Sequence, residues 1–302
     1  MLKMKSKTQQ VHIENDRNIQ LFIKREDLIH PFVSGNKFRK LKYNIIEAKR
    51  QKKDTLLTFG GAFSNHIAAV AYAGYSEGFK TIGVIRGEEL ASQINTNPTL
   101  QFAQKHKMTF HFISREDYRK KASEDFQDGL KNRFGAFYLI PEGGTNELAV
   151  KGCKEILDFE DVKYDYICTS VGTGGTISGI INASEKHQKI LGFPALKGDF
   201  LKEEIVKFAK RKNWQLINDY HFGGYAKINT QLVAFINDFK SKYSIQLDPV
   251  YTGKMLFGIL DMIASGKFES GSKILVIHTG GLQGIEGMNQ RLKNKSMPLI
   301  KV

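Results

Sequence analysis

Tyr164-Asp165-Tyr166-Ile167-Cys168-Thr169-Ser170-Val171-Gly172-Thr173-Gly174-Gly175-Thr176 runs from an apolar strand pattern through a glycine-rich turn into residues of helical spacing. The spacing predicts a strand over Tyr164–Ser170 and a helix over 176–187. At such a junction, free amides and the positive end of a helix dipole favour a phosphate. The loop lacks the Gly-Lys-Ser/Thr ending of a P-loop. Ile177 occupies the place where a dinucleotide fingerprint needs its third glycine. A single phosphate group is then the natural ligand, against the plainer alternative of a turn shaped only for tight helix–sheet packing.

Outward from this stretch the same alternation recurs. Further strands are expected at Leu21–Lys24, Thr55–Phe59, Thr81–Arg86, Thr109–Ile113, Ala136–Ile140, Ile190–Ala195, Gln215–Ile217 and Lys273–His278. Helical patterns fit 65–77, 98–106, 116–132, 147–158, 200–211, 229–242, 253–265 and 284–293. Strands alternating with helices predict parallel sheets with crossover helices. The expected organisation is two α/β lobes: 1–44 and 146–302 as a large domain, and 45–145 as a small inserted one. Ligands of open parallel sheets bind beyond the carboxyl ends of the strands. Four of these ends are glycine-rich: Gly60-Gly61-Ala62-Phe63-Ser64-Asn65-His66, Pro141-Glu142-Gly143-Gly144-Thr145-Asn146, Gly172–Thr176, and Thr279-Gly280-Gly281.

Ser34-Gly35-Asn36-Lys37-Phe38-Arg39-Lys40 opens another helix, with Phe38, Leu41 and Ile45 as its apolar stripe, Asn36 as the expected N-cap and Gly35 as the turn. Its first turns carry Lys37, Arg39, Lys40 and Lys42, cations facing the positive end of the dipole. Either this is a solvated basic face or an anion sits beside it.

Composition narrows the classes. The chain has 302 residues, 41% hydrophobic and 25% charged, with a formal net charge of +14. Its lysines are scattered, apart from Lys49–Lys53 and Lys207–Lys212, and no zinc-finger, RRM or basic-zipper pattern accompanies them, so nucleic acid is not the expected partner. Cys153 and Cys168 match no metal or redox spacing. No apolar run of signal-peptide length follows the basic Met1–Lys7, and no stretch approaches a membrane span. A cytoplasmic protein without metal or membrane partner is expected. Ser64 is a natural cap for the helix it precedes. His66 beside it does not make a hydrolase, because the Gly-x-Ser-x-Gly elbow is absent and adjacent helical residues do not face each other. His106, His111 and His187 show no ligand spacing.

Five segments occur in register: Ser34–Lys40, Ser64-Asn65-His66, Val171–Thr176, Leu247-Asp248-Pro249-Val250-Tyr251-Thr252-Gly253-Lys254 and His278–Gly281. Together they resemble the D-cysteine desulfhydrase / 1-aminocyclopropane-1-carboxylate (ACC) deaminase family, over nearly the whole chain. The resemblance implies the tryptophan-synthase-β type of fold (fold type II), with pyridoxal 5′-phosphate (PLP) between two parallel-sheet lobes. It further implies that Lys37 forms the Schiff base with PLP, and that Lys40 contacts the phosphate with the amides of Gly172, Thr173, Gly174, Gly175 and Thr176. Asn65 is expected at the ring oxygen, Thr279 at the pyridine nitrogen and Tyr251 stacked on the ring. Ser64, Asn65, His66 and the nearby amides would receive the substrate, with Tyr225 as a second active-site tyrosine. A lysine at a helix N-terminus among other cations has a lowered pKa, which suits a nucleophile and base.

ACC deaminases of this family resemble one another in having Glu after the stacking tyrosine and Leu in the last strand end. This chain has Thr252 and Thr279, as on the desulfhydrase side. The implied reaction is α,β-elimination on D-cysteine or a related small amino acid, giving pyruvate, ammonia and sulfide. The alternatives are ACC deamination and a PLP-binding protein with little turnover; a homodimer is implied in each case. The chain departs from its relatives in lacking Pro-Thr-Pro around Gln9–Ile13, in Ala68 and Ala69, in Ala226 after Tyr225, and in a shortened 190–225 region, all of which bear on substrate identity.

Overall fold

The computed structural model describes residues 4–302; Met1–Lys3, the start of the expected large domain and of its basic leading stretch, lie outside the described residues. Ten strands are present among the described residues: β1 (Thr8–Val11), β2 (Gln20–Lys24), β3 (Thr55–Gly61), β4 (Lys80–Arg86), β5 (Met108–Ile113), β6 (Tyr138–Ile140), β7 (Tyr166–Val171), β8 (Lys189–Pro194), β9 (Trp214–Leu216) and β10 (Lys273–Ile277). They form a six-stranded sheet in the order β1-β2-β10-β7-β8-β9 and a four-stranded sheet in the order β5-β4-β3-β6. Every pairing is parallel except β1 with β2.

Both sheets are buried on two faces, as parallel sheets must be. Alternate residues of β10 divide between two cores. Ile274 and Val276 pack with the helices Thr230–Tyr243 and Thr252–Ala264, while Leu275 and Ile277 pack with Gly175–Ala183 and Phe200–Val206. In the smaller sheet Leu56 and Ile85 face one core, and Leu57 and Val84 the other. The helix Asn36–Arg50 lays Phe38, Leu41, Ile45 and Ala48 into the first of these.

Several elements differ from expectation. Gly35, not Asn36, is the N-cap of Asn36–Arg50, because the turn needs φ +63°. A Cβ on Gly35 would also lie 1.9 Å from the Thr279 carbonyl oxygen. Asn36 is instead the first helical residue, and its amide donates to Thr176 Oγ1 at 2.8 Å. The single helix expected over 116–132 is two, Arg115–Arg119 and Glu124–Phe134, with Ser123 capping the second through its hydroxyl. The pattern over 147–158 stops at Cys153, where a 3₁₀ turn follows. The helix expected to reach 187 ends at Ala183, and the one expected to reach 211 ends at Val206. Strand β1 and the 3₁₀ segment Glu88–Thr96 have no counterpart in the periodicity.

The first helix is fixed by a buried ion pair. Arg39 donates through Nε and Nη2 to the two Glu26 carboxylate oxygens at 2.9 and 2.8 Å. Leaving one charge of such a pair buried alone costs about 3–5 kcal/mol. Arg39→Met therefore lowers unfolding free energy by about that amount in urea titrations, and the double variant Arg39→Met/Glu26→Leu recovers most of it.

Candidate active site

A cavity of ≈ 200 Å³ opens between the two sheets, at the carboxyl ends of their strands. Its lining includes Lys37, Lys40, Ser64, Asn65, His66, Gly172, Thr173, Gly174, Thr176, Tyr225, Tyr251 and Thr279. All the singled-out side chains therefore meet at one place; Gly175 stands just behind, against Lys40.

The four cations of the first helix are sorted by direction. Successive residues turn about 100°, so Lys37 and Lys40 share a face that Arg39 does not. Arg39 goes to Glu26, and Lys42 to Glu155 at 2.7 Å. Lys37 and Lys40 face the cavity, and among the described residues neither has a carboxylate within ion-pair distance. Burial, and then the charge of Lys40, lowers the Lys37 amine to about 7. Burial lowers Lys40 to about 8. Lys40 Nζ donates to the Gly143 carbonyl and Thr145 Oγ1, each at 3.0 Å, and to Thr173 Oγ1 at 3.4 Å. Glycine is required at 175, since a Cβ there would lie 2.8 Å from Thr145 Oγ1 and 3.3 Å from Lys40 Nζ.

On the opposite wall, Ser64 caps the helix Asn65–Ser76, its Oγ accepting from the His66 and Ile67 amides at 3.2 and 3.4 Å. Its oxygen is thus engaged and its proton is free to donate. Thr58 gives its one hydroxyl proton to the Ile140 carbonyl, so its oxygen accepts from His66 Nε2 at 2.8 Å. That fixes His66 as the Nε2–H tautomer. Burial and the two lysines hold its pKa well below the usual histidine range. His66 Nδ1 and Asn65 Oδ1 are buried with no partner.

Tyr251 lies against Gly172, where a Cβ would come within 3.2 Å of its ring, and Tyr225 meets it edge-on with ring centres 6.2 Å apart. Asp248 sets the position of Tyr251. Its carboxylate accepts from the Val250, Tyr251 and Thr252 amides at 2.9, 2.9 and 2.7 Å and from the Thr252 hydroxyl at 2.7 Å. The Tyr225 loop is braced from below: Lys254, 2% exposed, donates to the His221 and Gly224 carbonyls at 2.8 Å each. Phe222, Gly223, Gly224 and Ala226 in that loop all have positive φ. Thr279 Oγ1 pairs with Ser170 Oγ at 3.1 Å.

Sequence reasoning assigned no role to Asp248, Lys254, Thr145, Arg86, Glu142 or Ser170. Two signals pointed to some of them: an aspartate four residues before a helix, and the position directly after a strand. Among the described residues no group of His, Cys, Asp and Glu could hold a metal, and no helix is long and apolar enough to cross a membrane.

Paired parallel sheets around two unneutralised lysines, one of them with a near-neutral pKa, define an enzyme built on an anionic cofactor. The chain belongs to the pyridoxal-phosphate dependent enzyme family, whose family model matches residues 6–280. It is similar to the bifunctional D-cysteine desulfhydrase/1-aminocyclopropane-1-carboxylate deaminase, mitochondrial, of Arabidopsis thaliana, at 31% identity over 88% of this chain and 73% of that one. A D-cysteine desulfhydrase of Klebsiella pneumoniae is 27% identical, over 87% of each chain. The crystal structure of an ACC deaminase homologue superposes with a TM-score of 0.81 at 27% identity, covering 96% of this chain and 94% of that one. The fold is that of fold type II PLP enzymes. Both the desulfhydrase and the deaminase readings fit these relatives.

The residues present fit PLP. A phosphate answers the buried Lys40, which no carboxylate neutralises, beside helix amides that have no intrahelical acceptor.

Two measurements check this geometry. In cofactor-free protein, acylation of Lys37, read by peptide mass spectrometry, has its midpoint near pH 7, because only the neutral amine reacts. Lys40→Met moves that midpoint upward by removing a like charge. Lys254→Met speeds hydrogen exchange at Gly223–Tyr225 by about tenfold or more, since two charge-assisted bonds are lost.

Proposed function

We propose that the protein is a PLP-dependent carbon–sulfur lyase acting on D-cysteine or a closely related small amino acid, and that residues 45–145 form its small domain. The observation that carries the reading is Lys37: a cavity-facing amine with a pKa of about 7, half of it neutral at physiological pH.

Lys40, with the amides of Gly172–Thr176, would hold the cofactor phosphate. Asn65, Thr279 with Ser170, and Tyr251 would hold its ring. PLP, when bound, supplies an electron sink for the pair left on the α-carbon. A hydroxyl at Thr279 leaves that sink weaker than a carboxylate would. The Ser64 proton and the first amides of Asn65–Ser76 hold and orient the substrate carboxylate, with neutral His66 behind them. Lys37 Nζ removes the α-proton, and the β-sulfur departs with its bonding pair. The balance is D-cysteine plus water to pyruvate, ammonia and hydrogen sulfide. Tyr225 closes the cavity above these groups, limiting water during the proton transfer.

ACC deamination is the second reading, supported by the names of the relatives. Against it stands Thr252, which is fully buried, bonded to Asp248 and outside the cavity, so no acid–base side chain stands at the position after Tyr251. A homodimer in the cytoplasm completes the proposal.

Purified protein loaded with PLP has a visible absorption band that Lys37→Ala abolishes, with turnover falling about 10³-fold or more. Across D-cysteine, D-serine, β-chloro-D-alanine and ACC, pyruvate or ketoacid formation favours D-cysteine over ACC by about tenfold or more. Faster turnover of ACC would transfer the assignment to the deaminase. A protein that stays colourless with PLP would end both readings.

A further inference from the structure

β4 ends at Arg86, whose side chain lines the cavity from the wall of the smaller sheet. The other buried or cavity-facing cations described above have tasks. Arg39 pairs with Glu26 and Lys42 with Glu155. Lys40 sits among threonines at the phosphate cradle, and Lys254 braces a loop. Glu142, the acid on the same wall as Arg86, is engaged by Lys121 at 3.3 Å. Arg86 is different. It is solvent-exposed, and among the described residues no carboxylate lies within ion-pair distance of its guanidinium and no acceptor within hydrogen-bond distance.

Its surroundings leave the guanidinium open on the cavity side. Behind it stands the Tyr118 ring, with Arg86 Cζ 5.6 Å from the ring centre. Before it is Gly61, where even a Cβ would lie 3.9 Å from the nearest guanidinium nitrogen. An aromatic backing and a cleared approach suit the planar donor fork of arginine, which matches carboxylates and other oxyanions bidentately. The two anions that the lyase reading requires are already provided for: the phosphate by Lys40 and the glycine loop, the α-carboxylate by Ser64 and its helix. A third anion site remains.

We propose that Arg86 forms a subsite for an anionic group on the substrate's side chain, so that the preferred substrates are amino acids whose β-substituent ends in a carboxylate or sulfonate, such as S-carboxymethylcysteine. This rests on the lyase reading. In that reaction the Cα–H and Cβ–S bonds break, sulfur leaves with the bonding pair and takes up a proton as mercaptoacetate, and water converts the three-carbon remainder to pyruvate and ammonia. Arg86 holds the departing acid while the bond breaks.

The test uses the full chain loaded with PLP. Perturbation of the cofactor band gives dissociation constants for both enantiomers of 2-aminoadipate and of norleucine, which match in length and differ in the terminal charge. Aminoadipate binds about tenfold more tightly than norleucine in the unaltered protein; Arg86→Gln brings the two within about twofold, and Arg86→Lys keeps part of the preference. In turnover, the ratio of kcat/KM for S-carboxymethylcysteine to that for D-cysteine falls about tenfold in Arg86→Gln. No preference in the unaltered protein, a preference that survives Arg86→Gln, or an equal loss on both substrates overturns the proposal. A colourless protein would instead defeat the lyase reading. The subsite is then tested by calorimetric titration of adipate against hexanoate, where a preference for adipate that disappears in Arg86→Gln supports it and equal binding overturns it.

Discussion

The buried carboxylate of Glu26 is the constraint on which the site depends. It takes both forks of Arg39, and the backbone oxygen of the same residue accepts from the Gly35 amide at 2.9 Å. One residue therefore fixes both the left-handed turn before the first helix and the rotation of that helix about its axis. Once Arg39 is directed outward to Glu26, helical geometry turns Lys37 and Lys40 toward the opposite sheet. Asn36, bonded to Thr176, then ties the start of this helix to the glycine-rich loop of β7. The cavity's positive character is thus an indirect product of a neutral, fully satisfied ion pair on the far side of the helix.

That arrangement has a thermodynamic cost. Two amines share a poorly solvated space: burial lowers both, and the charge of Lys40 lowers Lys37 further. An anion that binds only the folded chain relieves the repulsion, so cofactor binding and folding stability are linked through the same two lysines. Asp248 and Lys254 are the counterexample, charges buried for rigidity and satisfied internally by amides and carbonyls respectively.

Much of this was legible in the sequence because it follows from short-range rules. Strand runs bounded by glycines located most of both sheets, and the strand-end rule gathered the glycine-rich turns with Ser64, Asn65, His66 and Thr279, whereas Tyr225 and Tyr251 came only from the family resemblance. What escaped was of two kinds. Helix ends moved where side-chain capping overrode periodicity, as at Ser123, or where a left-handed φ made Gly35 the cap. Partnerships at long range were invisible: nothing in the pattern around Lys254 points to the carbonyls of His221 and Gly224, and nothing around Arg86 tells that its neighbours on the wall are already paired. Residues that hold a site in place are chosen by packing, and packing has no period.

The strand order carries a consequence for how the protein is made. β10 lies between β2 and β7, and the Thr279 carbonyl just after it accepts from the Asn36 amide. The strands of the smaller sheet, β3 to β6, are contiguous in the chain and can assemble as soon as they leave the ribosome. The larger sheet cannot close until β10 has been translated and inserted into its middle. Lys37, made early, therefore waits through most of synthesis for the strand that completes its surroundings. Cofactor capture becomes a late event, and a nascent chain interrupted before β10 has no finished place to keep the cofactor.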